Sequence, residues 1–291
     1  MFDQVLQFLF SGITVGAIYA LVALGFTLIY NSSRIINFAQ GEFVMIGGMA
    51  TVFLLGAGLP MPLAALFAVA LCTLVGLALE KLAIEPAGRA SVVALIIITI
   101  GASIFLRGVA QLVWDKKLHA LPPFTGDAPI HVAGATILPQ SLWVLIVTVF
   151  LVLALRWFFT GTLLGKAMLA AADNRDAAQL VGINVRRVQL LSFALSAALG
   201  AAAGILVAPI TLTAYDIGTM IGLKGFAAAI LGGIGSGPGA IVGGLVLGVV
   251  ESFGAGYVSS AYKDAIAFVV ILLVLFLLPR GLLGGGSAER V

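Results

Sequence analysis

Apolar residues run in long unbroken blocks, separated by short polar breaks. From Val5 to Ser33 no residue is charged, which is longer than the ~20 residues a membrane-spanning helix needs. A first span is expected at about 5–30, followed by a polar break from Asn31 to Glu42. Phe43 to Leu79 is again uncharged but too long for one span. Gly58-Leu59-Pro60-Met61-Pro62 divides it, because each proline removes a helix donor and restricts the residue before it. Further spans are expected at about 92–113, 142–159, 189–208 and 265–278, with Pro279-Arg280 as the last stop. Leu223 to Ser252 is apolar but interrupted at Gly232-Gly233-Ile234-Gly235-Ser236-Gly237-Pro238-Gly239. It reads as two short helices that either span twice or fold back as a re-entrant pair. Broken backbone at membrane depth is tolerated only where it is buried in protein or lines a cavity. The pattern therefore predicts an all-α polytopic protein, one domain over 1–291, with about eight transmembrane helices plus that glycine-broken pair.

Composition narrows the class. Of 291 residues, 62% are apolar and 9% charged, against roughly 25% charged in a soluble domain. Such a chain cannot cover itself with polar groups in water, which excludes an ordinary soluble enzyme and a disordered protein. Long continuous blocks, rather than alternating segments of ~10 residues, argue against a β-barrel. The net charge of +3 reflects loop charges that report topology, not nucleic-acid binding. Ten of the fifteen basic residues fall on one side if 31–42, 80–91, 156–188 and the C-terminal tail share it. They include Arg34, Lys81, Arg89, Arg156, Lys166, Arg175, Arg186, Arg187, Arg280 and Arg290. The positive-inside rule makes that side cytoplasmic. The N-terminus is then outside, with 115–140 as a periplasmic loop and 160–188 as a cytoplasmic loop. No basic residue precedes Arg34, so a cleaved signal peptide is not expected. Glu80-Lys81 and Lys263-Asp264 read as anchors at span ends.

Small residues recur every fourth position at Ser192, Ser196, Gly200, Gly204 and Ala208, at Gly12, Gly16 and Ala20, and at Gly244 and Gly248. Such stripes let helix backbones approach closely in lipid. No catalytic set emerges. Gly161-Thr-Leu-Leu-Gly165-Lys166-Ala167 is one residue too short for a phosphate-binding loop and lacks its Ser/Thr. Any use of ATP must therefore fall to another subunit, and no cofactor is expected in this chain.

Two segments carry candidate function. In 160–188, Asp173 can cap a helix over 174–181 with Asp176 at the third position, and Gly182 can end it in the left-handed conformation. A helix this short needs a partner to pack against. That partner is either its own membrane domain or another subunit. The spacing Asp176-Ala177-Ala178-x-x-x-Gly182 matches half of the loop by which importer permeases dock on ATPases, with Asn174 and Arg175 beside it. In the break after the first span, Asn37, Gln40 and Glu42 put amide and carboxylate groups directly before an apolar run. They either line a permeation path, as polar groups near the bilayer tend to turn inward, or serve the fold, with Glu42 pairing with Arg34. Glu251, inside the glycine-rich segment, poses the same choice.

Several stretches together resemble the inner-membrane permease subunits of branched-chain amino acid ABC importers, the LivH family. They are Gly16-Ala-Ile-Tyr-Ala-Leu-Val-Ala-Leu-Gly25, Ile36-Asn-Phe-Ala-Gln-Gly-Glu42, Gly101-Ala-Ser-Ile-Phe-Leu106, Leu180-Val-Gly-Ile-Asn184, Lys224-Gly-Phe-Ala-Ala-Ala-Ile-Leu-Gly-Gly-Ile-Gly-Ser236 and Tyr262-Lys-Asp264. Gln40 stands where the family often has His, and Gly225 where it often has Ala. The resemblance implies a second homologous permease subunit, two ATP-binding subunits and a periplasmic binding protein, in the bacterial inner membrane and in contact with its lipid. It implies import of branched-chain amino acids or a related small polar solute, with 174–182 as the coupling helix. Sparse intramembrane charge and glycine-broken helices also suit a stand-alone channel or carrier for a neutral solute such as urea or an amide.

Overall fold

A computed structural model describes residues 2–88, 90–132 and 134–284. Arg89 and Arg290, counted above on the basic side, lie outside the described residues. The longest helix, α1 (Phe2–Ser33), carries no charge after Asp3 and is the axis of the molecule. Of its most apolar stretch, 89% is buried. Arg34 then takes a left-handed φ of 58° and turns the chain back. The next helix, α2 (Gln40–Gly56), does not begin at the end of α1. The Gln40 side-chain amide lies against Gly25, about two turns inside α1.

Two prolines open α3 (Met61–Leu79), which widens into a π-helical turn at Glu80–Ile84. Ser91 caps α4 (Val92–Val113) by accepting from Ala94 N. The following segment carries one small antiparallel hairpin, β1 (Ile130–Val132) and β2 (Ala135–Ile137). It is bound to the start of α1 through Gln7, which exchanges two hydrogen bonds with the Thr136 backbone at 3.0 and 2.7 Å. Next come α5 (Pro139–Gly161), the short α6 (Leu163–Asp173) and α7 (Arg175–Leu180), then the long α8 (Val185–Thr211). The glycine-rich segment forms α9 (Ile217–Gly232) and α10 (Gly237–Tyr257), and α11 (Lys263–Leu277) follows a 3-10 turn.

Among the described residues, seven helices are long and apolar enough to cross a membrane, and α2 and α9 are shorter apolar ones. The bundle has two ends. The hairpin end holds the start of α1, the end of α4 and the start of α5. The other end holds α6 and α7, the π-helical turn, and the chain just after α1 and α11. Arg34 joins that end by donating to Ala172 O at 2.7 Å. The described basic residues Lys81, Arg156, Lys166, Arg175, Arg186, Arg187 and Arg280 sit there with it, as the charge pattern groups them. The expected small-residue stripes are the seams of the bundle. Gly12, Gly16 and Ala20 of α1 meet Val249, Leu245 and Gly244 of α10 running the opposite way. A methyl group at Gly248 would collide with the Gly16 backbone. In α8, Gly200 faces Phe43 and Gly204 faces Val44 of α2. Backbones that approach this closely gain dispersion contact where lipid offers no hydrophobic drive.

The periphery differs. Only 17% of the most apolar stretch of α4 and of α5, and 11% of that of α11, is buried. Leu74, Phe105, Leu112, Phe150, Trp157 and Phe276 all point outward. That surface suits lipid or another membrane subunit rather than water.

Candidate functional site

At the α6–α7 end the local sequence sets a compact unit. Asn174, not Asp173, caps α7. Its Oδ1 accepts from Ala177 N at 2.9 Å, while Asp173 ends α6. The single residue between the two helices must be extended (φ −142°, ψ 107°), and an asparagine there can turn its amide onto the new helix. Gly182 ends α7 at φ +88°. Ile183 N donates to Ala178 O at 2.9 Å and Gly182 N to Gln179 O at 3.0 Å, the paired bonds of a left-handed helix stop.

Of α7, Ala178 alone is buried, within a small apolar cluster of Met168, Ala171, Val185 and Val188. Leu180 and Val181 are 89% and 77% exposed. Beside α7 lies a polar cleft of about 520 Å³ lined by Glu85, Arg175, Arg186 and Gln189 among others. Arg175 donates to Gln189 Oε1 at 3.0 Å. The sequence predicts an apolar surface of Ala177, Ala178, Leu180 and Val181 on this helix; the structure buries Ala178 and leaves Leu180 and Val181 exposed.

The break after α1 is folded into the interior. Asn37, Gln40 and Glu42 are 0%, 0% and 1% exposed. Asn37 Oδ1 accepts from Ala39 N at 3.1 Å, a local turn bond that starts α2, and its Nδ2 has no partner. Gln40 donates to Ser196 O at 3.2 Å and accepts from the Ser196 hydroxyl, which ties α2 to α8. Glu42 does not pair with Arg34. Its Oε1 accepts from Ser103 Oγ at 2.7 Å and lies 3.4 Å from Arg107 Nε, both on α4. Arg34 is spent on Ala172 and stacks over Tyr30 at 5.7 Å. Thr99 completes the α4 face by accepting from Phe38 N at 3.2 Å. One residue before Glu42, Gly41 packs directly on Gly218 and Gly222 of α9. The opening turns of the two short helices thus lie side by side, inside the bundle.

Glu251 belongs to a second cluster. Lys224 Nζ of α9 lies 2.7 Å from Glu251 Oε1 and 2.6 Å from Asp264 Oδ1. Tyr19 Oη of α1 donates to Glu251 Oε2 at 2.8 Å, and its ring lies 5.6 Å from the Lys224 ammonium. Four helices therefore meet on one ammonium group. Asp264, though its side chain is 39% exposed, is a partner in this cluster rather than only an anchor at a span end, and Glu80 is buried, at 3% exposure. Sequence reasoning gave no site role to Ser103, Arg107, Lys224 or Tyr19, although Tyr19, Ser103 and Lys224 stand in the stretches that carry the resemblance. Arg107 and Lys224 were legible as lone cations within apolar runs, where a charge almost always faces protein or water.

At the hairpin end, His119 and Thr213 exchange backbone hydrogen bonds at 2.8 Å each way. This holds the stretch that leads from α8 back to α9. His119 Nε2 contacts Asp115 Oδ1 at 2.9 Å. That hydrogen bond, followed by one from Lys117 N, holds the Asp115 carboxyl below its usual range.

A seam of small residues, two short helices starting inside the bundle, buried charges and seven long apolar helices among the described residues define a polytopic helical membrane protein. The family model for the branched-chain amino acid transport system permease component matches residues 8–275, and the chain belongs to that family. It is 37% identical to the high-affinity branched-chain amino acid transport system permease protein LivH of Salmonella typhimurium, with all of both chains covered. It is 37% identical to BraD of Pseudomonas aeruginosa, a permease protein of the same description, with 98% of each chain covered. The autoinducer 2 import system permease protein LsrC of an Enterobacter species is 32% identical, over 91% of this chain and 78% of that one. The family is one of transport components, not of enzymes.

Proposed function

We propose that this chain is the permease subunit of an ABC importer that carries branched-chain amino acids across a bacterial inner membrane. Its partners are a second homologous permease, two ATP-binding subunits and a periplasmic binding protein. Full-length similarity to LivH and BraD is the observation that carries this reading.

The α6–α7 end faces the cytoplasm, in keeping with its gathered Lys and Arg, and 115–140 faces the periplasm. Within 160–188, α7 is the coupling element. Asn174, Arg175, Asp176, Ala177, Ala178 and Gly182 form and orient it. Leu180 and Val181 offer an apolar tip to a groove on an ATPase, flanked by the polar cleft around Arg175 and Arg186. The translocation path runs past the break before α2, where Asn37, Gln40 and Glu42 adjoin α4 and α9. Glu251, through Lys224, fixes the α9 wall of that path.

The test is uptake of labelled leucine by proteoliposomes that hold the full assembly. Gly182→Val, or exchange of Arg175 and Asp176, should leave the subunits folded but uncouple ATP hydrolysis from uptake. Unchanged coupling in both variants would remove α7 from this role. Uptake by this chain alone, without ATPases, would remove the importer reading.

A further inference from the structure

The environment of Glu42 is incomplete in a particular way. Its side chain is 1% exposed, yet only Oε1 is engaged, by Ser103 at 2.7 Å and by Arg107 Nε at 3.4 Å. Oε2 is buried with no partner. The Arg107 Nε makes no hydrogen bond either, although 30% of its side chain remains exposed. A buried carboxylate oxygen left bare is costly, and a structural ion pair would close as a two-pronged contact. Glu251 in the same molecule has both oxygens used, one by Lys224 and the other by Tyr19, although Asp264 Oδ1, 2.6 Å from the same ammonium, makes no hydrogen bond. Two further polar atoms nearby lack partners, Asn37 Nδ2 before α2 and Thr219 Oγ1 in the first turn of α9.

The geometry points to a binding site for an aliphatic α-amino acid at Glu42 and Arg107. Resting on the importer reading above, it names the groups that would hold the solute in transit. The ammonium group of the ligand would lie against Glu42 Oε2, and its carboxylate would take the Arg107 guanidinium, whose planar fork matches a carboxylate. A zwitterion satisfies both charges at once, which neither an amine nor an acid alone can do. An aliphatic side chain suits the surroundings, since Ala102, Leu106 and Ile217 pack in the apolar cluster that also holds Phe43. Gly41, Gly218 and Gly222 bring only backbone to the same place. Arg107, with 30% of its side chain exposed on the sparsely buried α4, is the member of the pair that a ligand would meet first, from the outer face of the subunit, where a second permease would sit.

The test uses the full reconstituted assembly and labelled leucine. A Glu42→Gln/Arg107→Gln double variant removes both charges together, a change that a purely structural ion pair tolerates well. Thermal stability and assembly should stay near wild type. Uptake should fall on the order of ten- to a hundredfold, the loss expected when a hydrogen bond to a charged group disappears. Arg107→Lys, which keeps charge but not the fork, should recover part of the uptake. Wild-type uptake by the double variant overturns the site while leaving the importer reading intact; a wild-type assembly that imports no leucine overturns that reading instead. A second measurement does not need the double variant to fold. In Leu106→Cys, at a partly exposed position of the same apolar lining, leucine should slow labelling of the new thiol by a methanethiosulfonate reagent, with Cys72 silent because it is buried. Labelling that is indifferent to leucine overturns the proposal.

Discussion

Two buried carboxylates, Glu42 and Glu251, sit in opposite circumstances. Glu251 is surrounded: Lys224 takes one oxygen, Tyr19 the other, and Asp264 approaches the same ammonium from α11. Glu42 is half-served, with one oxygen shared between Ser103 and Arg107 and one bare. Both are within a few per cent of full burial, so solvent exposure does not separate them. Saturation does. A closed ion cluster that joins four helices fixes a wall, whereas an open one leaves charge for something that comes and goes.

The sharpest way to break the comparison is Lys224→Met. It leaves Glu251 and Asp264 facing each other without a cation, and removing one partner of a buried pair costs about 3–5 kcal/mol. Thermal unfolding of the purified protein in detergent should register a large fall in Tm. A small one would mean that the cluster is not what holds α9. Next in size is Gly16→Leu, on the seam that carries no charge at all. Its added side chain must enter the α10 backbone, and overpacking of this kind costs about 1–3 kcal/mol. The same unfolding assay reads it, and Gly56→Ala, at a position with open space around it, is the matched control.

Glu42→Gln should be milder, at about 1 kcal/mol or less, because the amide can still accept from Ser103 and the lost attraction is to a partly exposed arginine. A loss comparable to that of Lys224→Met would erase the distinction between the clusters. The smallest effect lies outside the membrane segments. The depressed Asp115 carboxyl contributes stability that is present above its unfolded value and lost as pH falls through its lower folded value. At neutral pH the pair with His119 is therefore intact. Asp115→Asn should modestly speed hydrogen exchange at Thr213, and acidification of the wild type should loosen the same contact only below the ordinary carboxylate range.

Much of the architecture is legible in the chain, and for a local reason. The apolar block from 92 to 113 coincides with α4 (Val92–Val113), since the Ser91 cap and the apolar run are both local features. Gly182 reads as a helix stop because its neighbours within four residues supply all the bonds involved. The cap failed by one residue: Asp173 and Asn174 both suit the position, and α6 running to Asp173 decided between them. The stripes were readable as seams but did not say which seam met which. For that, Gly16 has to be seen against Gly248, 232 residues away.

The sequence by itself thus determined a polytopic helical bundle, the sidedness of its basic residues, the short helix at one end and the family. Only the tertiary structure decided that α2 and α9 begin inside the bundle, that Glu42 turns from Arg34 to Arg107, and that Glu251 closes on Lys224. Hydrophobic period is written into consecutive residues, whereas the partner of a buried charge is set by which helices touch. That choice depends on the packing of glycine-lined faces far apart in the chain, and no local pattern contains it.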